Sequence, residues 1–281
     1  MNLRAPQCRT ASSFLGAFAL TLLAASTSVA VTYTFENLTV GNLVGQDNWA
    51  LVGSGSSFQI TGGVGTDSTL VFQNPGVSAA NFDIRQNNGM FSFGSFTGSE
   101  TSAVLQFDVR VNSTPGENQN FAYYVGDVNG AVSSSPQIQY GNTSSGTNPV
   151  FVIVGANSGT ATTVSVPGTV NFGDWVSVRL TMDFTANGGD GLGSLSFADL
   201  TQATGFTPVS GLQNVALGMQ NPPVGHGTVT PSAWDTLWLR SDTASSATGD
   251  NLTVIVPEPG SSWLALAGGL FLGRMRPRRR C

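Results

Sequence analysis

Trp175-Val176-Ser177-Val178-Arg179-Leu180-Thr181-Met182-Asp183-Phe184 decides the fold class. From Val176 every second residue is apolar (Val176, Val178, Leu180, Met182, Phe184), while Ser177, Arg179, Thr181 and Asp183 fill the positions between. Successive side chains of a β-strand point to opposite faces, so the stretch predicts one strand with its apolar set on a core and Arg179 turned away from it. Ala103, Leu105, Phe107, Val109 and Val111 repeat the pattern against Val104, Gln106, Asp108 and Arg110. Further strands are predicted at 31–35, 121–125, 150–154, 192–197, 215–219, 233–240 and 252–256, separated by Gly, Asn, Asp, Ser and Pro. No helical stripe interrupts residues 31 to 256, and Pro/Gly/Ser-rich stretches such as 133–149 are short enough to be loops. Many short strands at this spacing imply an all-β domain, a two-sheet antiparallel β-sandwich.

Composition agrees. Of 281 residues only 10% are charged, and 35 are Gly, as a turn-rich β protein requires. Lysine is absent, which excludes a Lys-Asn isopeptide crosslink. The 11 basic residues are all Arg and sit mostly at the ends. Residues 31 to 256 hold four arginines against fifteen acids, a net charge of −11 that repels phosphate and excludes nucleic acid as a partner of the body.

Both ends read as signals. Arg4 and Arg9 precede an apolar run from Phe14 to Ala25, and Ser28-Val29-Ala30 places small residues at the two positions that signal peptidase reads. Residues 1–30 are therefore expected to be a secretory signal helix, cleaved after Ala30. At the other end Val256-Pro257-Glu258-Pro259 leads into an apolar stretch from Trp263 to Gly273, then Arg274, Arg276, Arg278, Arg279 and Arg280. Apolar sequence halted by positive charge has the form of a stop-transfer signal. Eleven residues of helix cover about half of a membrane, so the expected membrane contact is transient. Cys8 and Cys281 lie in these two ends, which leaves residues 31–256 without a cysteine and dependent on core burial.

The order Pro257-Glu258-Pro259, short Leu/Ala/Gly helix, arginine cluster resembles the PEP-CTERM sorting signal of exopolysaccharide-producing Gram-negative bacteria. The resemblance implies processing of residues 257–281 by exosortase, a membrane cysteine transpeptidase. It makes Glu258 a recognition residue and the arginines the stop-transfer element. The chain is then expected to be exported and held at the membrane by its C-terminal segment until cut, in the cell envelope or outside it.

A second resemblance covers the body, residues 31–256. Tyr33-Thr34-Phe35-Glu36-Asn37-Leu38 with Gly41 and Gln46-Asp47-Asn48-Trp49 resembles the opening of laminin-G-like, concanavalin-A-type jelly rolls. Asp174 to Asp183 is similar to their central W-x-x-V-x-x-x-x-D strand, and Ala233 to Leu239 to their closing strands. The resemblance implies a jelly-roll sandwich and no particular activity.

Enzymatic readings lack residues. His226, in Pro222-Pro223-Val224-Gly225-His226-Gly227, is the single histidine and has loop composition, so a Ser-His nucleophile or an imidazole metal site is not expected. Concanavalin-type glucanases carry a Glu-x-Asp-x-x-Glu strand, and the body has only Glu36, Glu100 and Glu117, none so spaced. A glycan hydrolase is thus the least favoured function, and no cofactor is expected. Asp183, Asn187 and Asp190 resemble the start of a calcium loop, but Thr185 replaces a carboxylate and no bidentate Glu follows, so a hairpin turn is expected there. For carbohydrate, Asp108, Arg110 and Arg179 with Gln106, Ser177 and Thr181 are expected to share one polar face, and Trp234, Trp238 and Arg240 one side of another strand. The leading expectation is a structural or adhesive role in an exopolysaccharide layer. The alternative is a lectin-like module with exopolysaccharide as its partner.

Overall fold

The computed structural model describes residues 28–257, apart from 37, 53–56, 63–67, 74–80, 87–99, 113–118, 127–134, 143–147, 157–160, 166–168, 221–228, 230, 232–233, 235 and 243–245. Most of the signal segment, Glu258, Pro259, the terminal arginines and His226 therefore lie outside the described residues.

Among the described residues seventeen strands follow one another. They are β1 (Ser28–Tyr33), β2 (Gly41–Asn42), β3 (Trp49–Val52), β4 (Ser57–Gly62), β5 (Ser68–Gln73), β6 (Asn81–Gln86), β7 (Ser102–Asn112), β8 (Gln119–Gly126) and β9 (Gln137–Asn142). After them come β10 (Val150–Val154), β11 (Ala161–Ser165), β12 (Trp175–Asp183), β13 (Leu192–Asp199), β14 (Thr207–Pro208), β15 (Val215–Ala216), β16 (Thr236–Asp242) and β17 (Ser246–Pro257). One sheet of ten strands runs β14-β13-β12-β7-β17-β5-β4-β2, with β1 on β17 and β15 on β13. The second, of seven, runs β11-β10-β9-β8-β16-β6-β3. The pairings among the described residues are antiparallel, and a 3-10 turn at Asn187–Gly189 follows β12.

The alternation on β7 and β12 is realised. Ala103, Leu105, Phe107, Val109 and Val111 on β7, and Val176, Val178, Leu180 and Met182 on β12, all lie in the core cluster. Aromatic rings join the two sheets: Phe107 on β7 stands 5.2 Å from Phe121 and 5.8 Å from Tyr123 of β8, and Phe151 of β10 stacks on Phe197 of β13 at 4.9 Å. Such pairs contribute about 0.5–1.5 kcal/mol each beyond the area they bury. The opening motif folds on itself, with Tyr33 donating to Asp47 at 2.5 Å and Trp49 Nε1 donating to the Tyr33 hydroxyl at 3.0 Å. Gln46 closes the same turn through the Thr39 amide and the Thr39 and Asn42 carbonyls.

Some expectations need correction. The strand expected at 233–240 begins at Thr236, and the one at 215–219 is only two residues long. Trp234 precedes β16 and belongs to the core, edge-on to Phe184 at 5.7 Å, so it does not share a strand face with Trp238 and Arg240. Ser28–Ala30, on the leader side of the expected cleavage, extend β1.

Candidate functional site

The five candidate carbohydrate residues divide between the outer faces of the two sheets. Asp108, Arg110 and Arg179 lie on the ten-stranded sheet, where cross-strand register sets Arg179 beside Gln106, Ser177 beside Asp108 and Trp175 beside Arg110. Trp238 and Arg240 lie on the seven-stranded sheet. Alternation fixes which side of its own strand a residue takes; only the topology decides which sheet that strand joins.

On the ten-stranded sheet the polar groups bind one another. Gln106 Oε1 accepts from Arg179 Nε at 2.9 Å and from its Nη2 at 2.8 Å, and Gln106 Nε2 donates to Ser177 Oγ at 3.0 Å. The Arg179 guanidinium lies 3.5 Å from the centroid of the Phe206 ring, and partial burial lowers its pKa. Arg179 points away from the core, as the alternation requires, and its partners are an amide and a ring. Arg110 likewise points out, with its guanidinium 5.2 Å from the Trp175 ring. Asp108 accepts from Asn251 Nδ2 at 2.9 Å rather than pairing with an arginine. Asn251 occupies a bulge in β17, where the register slips between Asp250 and Thr253, and its φ of 50° is one that Asn tolerates better than most residues.

The seven-stranded sheet differs because β8 is buried on both faces from Phe121 to Gly126. Its inner residues Phe121, Tyr123 and Val125 join the core. On the outer side Tyr124 lies opposite Trp238 of β16, and their rings stack at 5.6 Å with planes 12° apart. Gln137 and Gln139 of β9 are also buried, and Gln139 lies opposite Ala122, which in turn lies opposite Arg240. Trp238 is 1% exposed. Gly126 runs under it so closely that a Cβ there would stand 3.1 Å from the indole nitrogen. Tyr124, Gln137 and Gln139 were not among the candidates, since a strand buried on both sides shows no alternation to read.

The Asp183–Gly191 segment links β12 to β13 through the 3-10 turn. Asp183 Oδ1 accepts from the Thr185 hydroxyl at 2.8 Å, the Thr185 amide at 2.9 Å and the Ala186 amide at 3.2 Å. The bonds from Thr185 hold its carboxyl below the usual range. Asp190 is buried; Oδ1 accepts from the Gln220 amide at 3.1 Å and Oδ2 from Asn187 Nδ2 at 3.4 Å. Asp183 Oδ1 and both Asp190 oxygens thus accept hydrogen bonds in and around this turn.

No family model matches the chain, and no curated protein matches it in sequence. Solved structures do. The CBM2 module of the evolved Dit protein of Lactobacillus casei BL23 phage J-1 is 12% identical, with 82% of this chain and 96% of that one covered and a TM-score of 0.50. Peanut lectin, solved with a nine-residue peptide, is 11% identical over 82% of this chain and 97% of its own, with a TM-score of 0.48. A Shewanella oneidensis MR-1 protein described as of unknown function is 13% identical over 91% and 98%, also at 0.48. The fold is the two-sheet jelly-roll sandwich of the concanavalin-A type, and at these identities the likeness extends to the fold alone.

Proposed function

We propose that the chain is an exported surface or extracellular-matrix protein, cut by signal peptidase after Ala30 and by exosortase near Pro257-Glu258-Pro259. Its β-sandwich has a non-enzymatic, structural or adhesive role in an exopolysaccharide layer. The observation that carries the structural reading is that the candidate recognition groups are built into the scaffold. Arg179 is held by Gln106 and Phe206, Asp108 by Asn251, and Trp238 is covered and stacked on Tyr124. Groups committed to one another stiffen a sheet, whereas a sugar platform needs an aromatic face open to solvent.

A lectin-like module is the second reading. It draws on the Tyr124–Trp238 stack beside Gln137, Gln139 and Arg240, since flat rings with amide and guanidinium donors suit sugar hydroxyls. Complementation separates the two. In a host strain lacking the chain, expression of Arg179→Ala or Arg240→Ala at wild-type levels restores the matrix if the role is structural, and the purified protein retains no ligand on a glycan array. Specific glycan binding that either substitution abolishes contradicts the structural reading.

A further inference from the structure

The first and last strands of the sandwich meet where the chain is expected to be cut. β1 and β17 pair with Ser28 opposite Pro257, Val29 opposite Val256 and Ala30 opposite Ile255, and the ladder continues to Tyr33 opposite Leu252. On its other edge β17 follows β7 only as far as Ile255, which lies opposite Val104. Among the described residues, Val256 and Pro257 thus have Val29 and Ser28 as their only strand partners. Both partners lie on the leader side of the Ala30–Val31 bond, and Pro257 opens the sorting motif.

We propose that N-terminal cleavage licenses C-terminal cleavage: Ser28–Ala30 hold the entrance to the sorting motif in the sheet until signal peptidase removes them. This rests on the sorting reading above. In the first step water adds across the Ala30–Val31 amide, leaving a carboxylate on Ala30 and an amine on Val31, and residues 28–30 depart with the leader. β1 then starts at Val31, opposite Val254, and Val256 and Pro257 keep no ladder partner. In the second step the exosortase thiol attacks the scissile carbonyl, the downstream amine leaves with a proton, and an amine or water acceptor takes the acyl group from the thioester. An enzyme that works on the backbone needs an extended segment whose edges are free, and a segment inside a ladder reaches that state only by local opening. The end of this ladder is its weakest part, because Pro257 has no N–H to donate. The leader therefore slows the second cut rather than forbidding it.

The test is intact-mass spectrometry of the full chain produced in its native cell, as wild type, as Ala30→Leu and as Ala30→Leu with Val29→Pro. Ala30 is exposed, so leucine there blocks the small-residue requirement of signal peptidase without disturbing the core. Wild type is expected to start at Val31 and to lack the tail. Ala30→Leu is expected to keep its leader and to yield about tenfold less tail-free product. Adding Val29→Pro, which puts a proline into the strand opposite Val256 and weakens the pairing, restores tail removal while the leader stays on; Ser28→Pro in the same background gives a second reading should Val29→Pro not fold. Tail loss from Ala30→Leu equal to wild type overturns the licensing while leaving the sorting reading intact. A tail that stays on in both proline variants also overturns it. A wild-type protein that keeps its tail overturns the sorting reading and the licensing with it.

Discussion

Replacing Arg179 by alanine removes two charge-assisted hydrogen bonds to a single Gln106 oxygen and a guanidinium seated 3.5 Å above the Phe206 ring. For a half-buried group the bonds contribute about 1 kcal/mol and the ring contact about 0.5–1 kcal/mol. The freed side-chain entropy and rehydration of Gln106 offset part of that, leaving a net loss of about 1–1.5 kcal/mol. For a domain of this size the melting temperature falls by about 3–5 °C. This exceeds the value for an exposed ion pair, because the partners are a fixed amide and an aromatic face rather than a mobile acid. Thermal and urea unfolding of Arg179→Ala, Gln106→Ala and the double variant measure it, and a coupling of about 0.5–1 kcal/mol is expected between the two positions. A melting temperature unchanged within 1 °C, or a coupling of zero, refutes the idea that Arg179 is part of the scaffold.

Asn251→Ala loses the bond to Asp108 and places alanine at positive φ, so it destabilises by about 1–2 kcal/mol, whereas Asn251→Gly costs less because it relieves the backbone; equal losses in urea unfolding contradict this. Burial, together with the hydrogen bond to Asp47, raises the Tyr33 pKa above its ordinary value of 10.0. Burial also raises Tyr123 and Tyr140, the latter helped by the charges of Asp174 and Asp199. The folded state thus holds these protons more tightly, so their contribution is complete below about pH 10 and is lost as pH rises further. Stability that stays flat from pH 9.5 to 11.5 counts against buried phenols. A chelator is expected to leave the melting temperature unchanged, because hydrogen bonds to Asp183 Oδ1 and to both Asp190 oxygens hold the turn without a cation; a fall of more than a few degrees means that the native state holds a cation.

The strands whose faces the sequence revealed are those with one wet side. β7 and β12 alternate because Gln106, Asp108, Arg110 and Arg179 meet partners on an outer face while their neighbours meet the core. β8 and β10 carry no such signal: Phe121 to Gly126 are buried throughout, and so are Val150 to Ile153, which leaves a run without a period. Even so, the run alone placed both strands. The two-residue strands β2 and β14 are too short for any pattern, and β3 to β6, β9 and β11 are not among the strands that the sequence pattern predicts. The bulge in β17 leaves a trace in the sequence: inward Ala247 is at an odd position whereas Leu252, Val254 and Val256 are at even ones, a change of parity that one extra residue must absorb. The candidate site was legible strand by strand but not as a site. Asp108, Arg110 and Arg179 do share a face, yet Trp238 belongs to the other sheet, because β16 pairs with β6 and β8, far from it in sequence. Phe206, which completes the Arg179 seat, comes from just before the short edge strand β14, and no local pattern links it to β12.

The central proposal is that the sandwich is a sorted product, freed of both its ends. Mass spectrometry of the protein recovered from its native cell tests that directly. The expected product is a chain that starts at Val31 and yields no peptide from Arg274 to Arg280. A mature protein that still carries its leader or an intact arginine tail contradicts it.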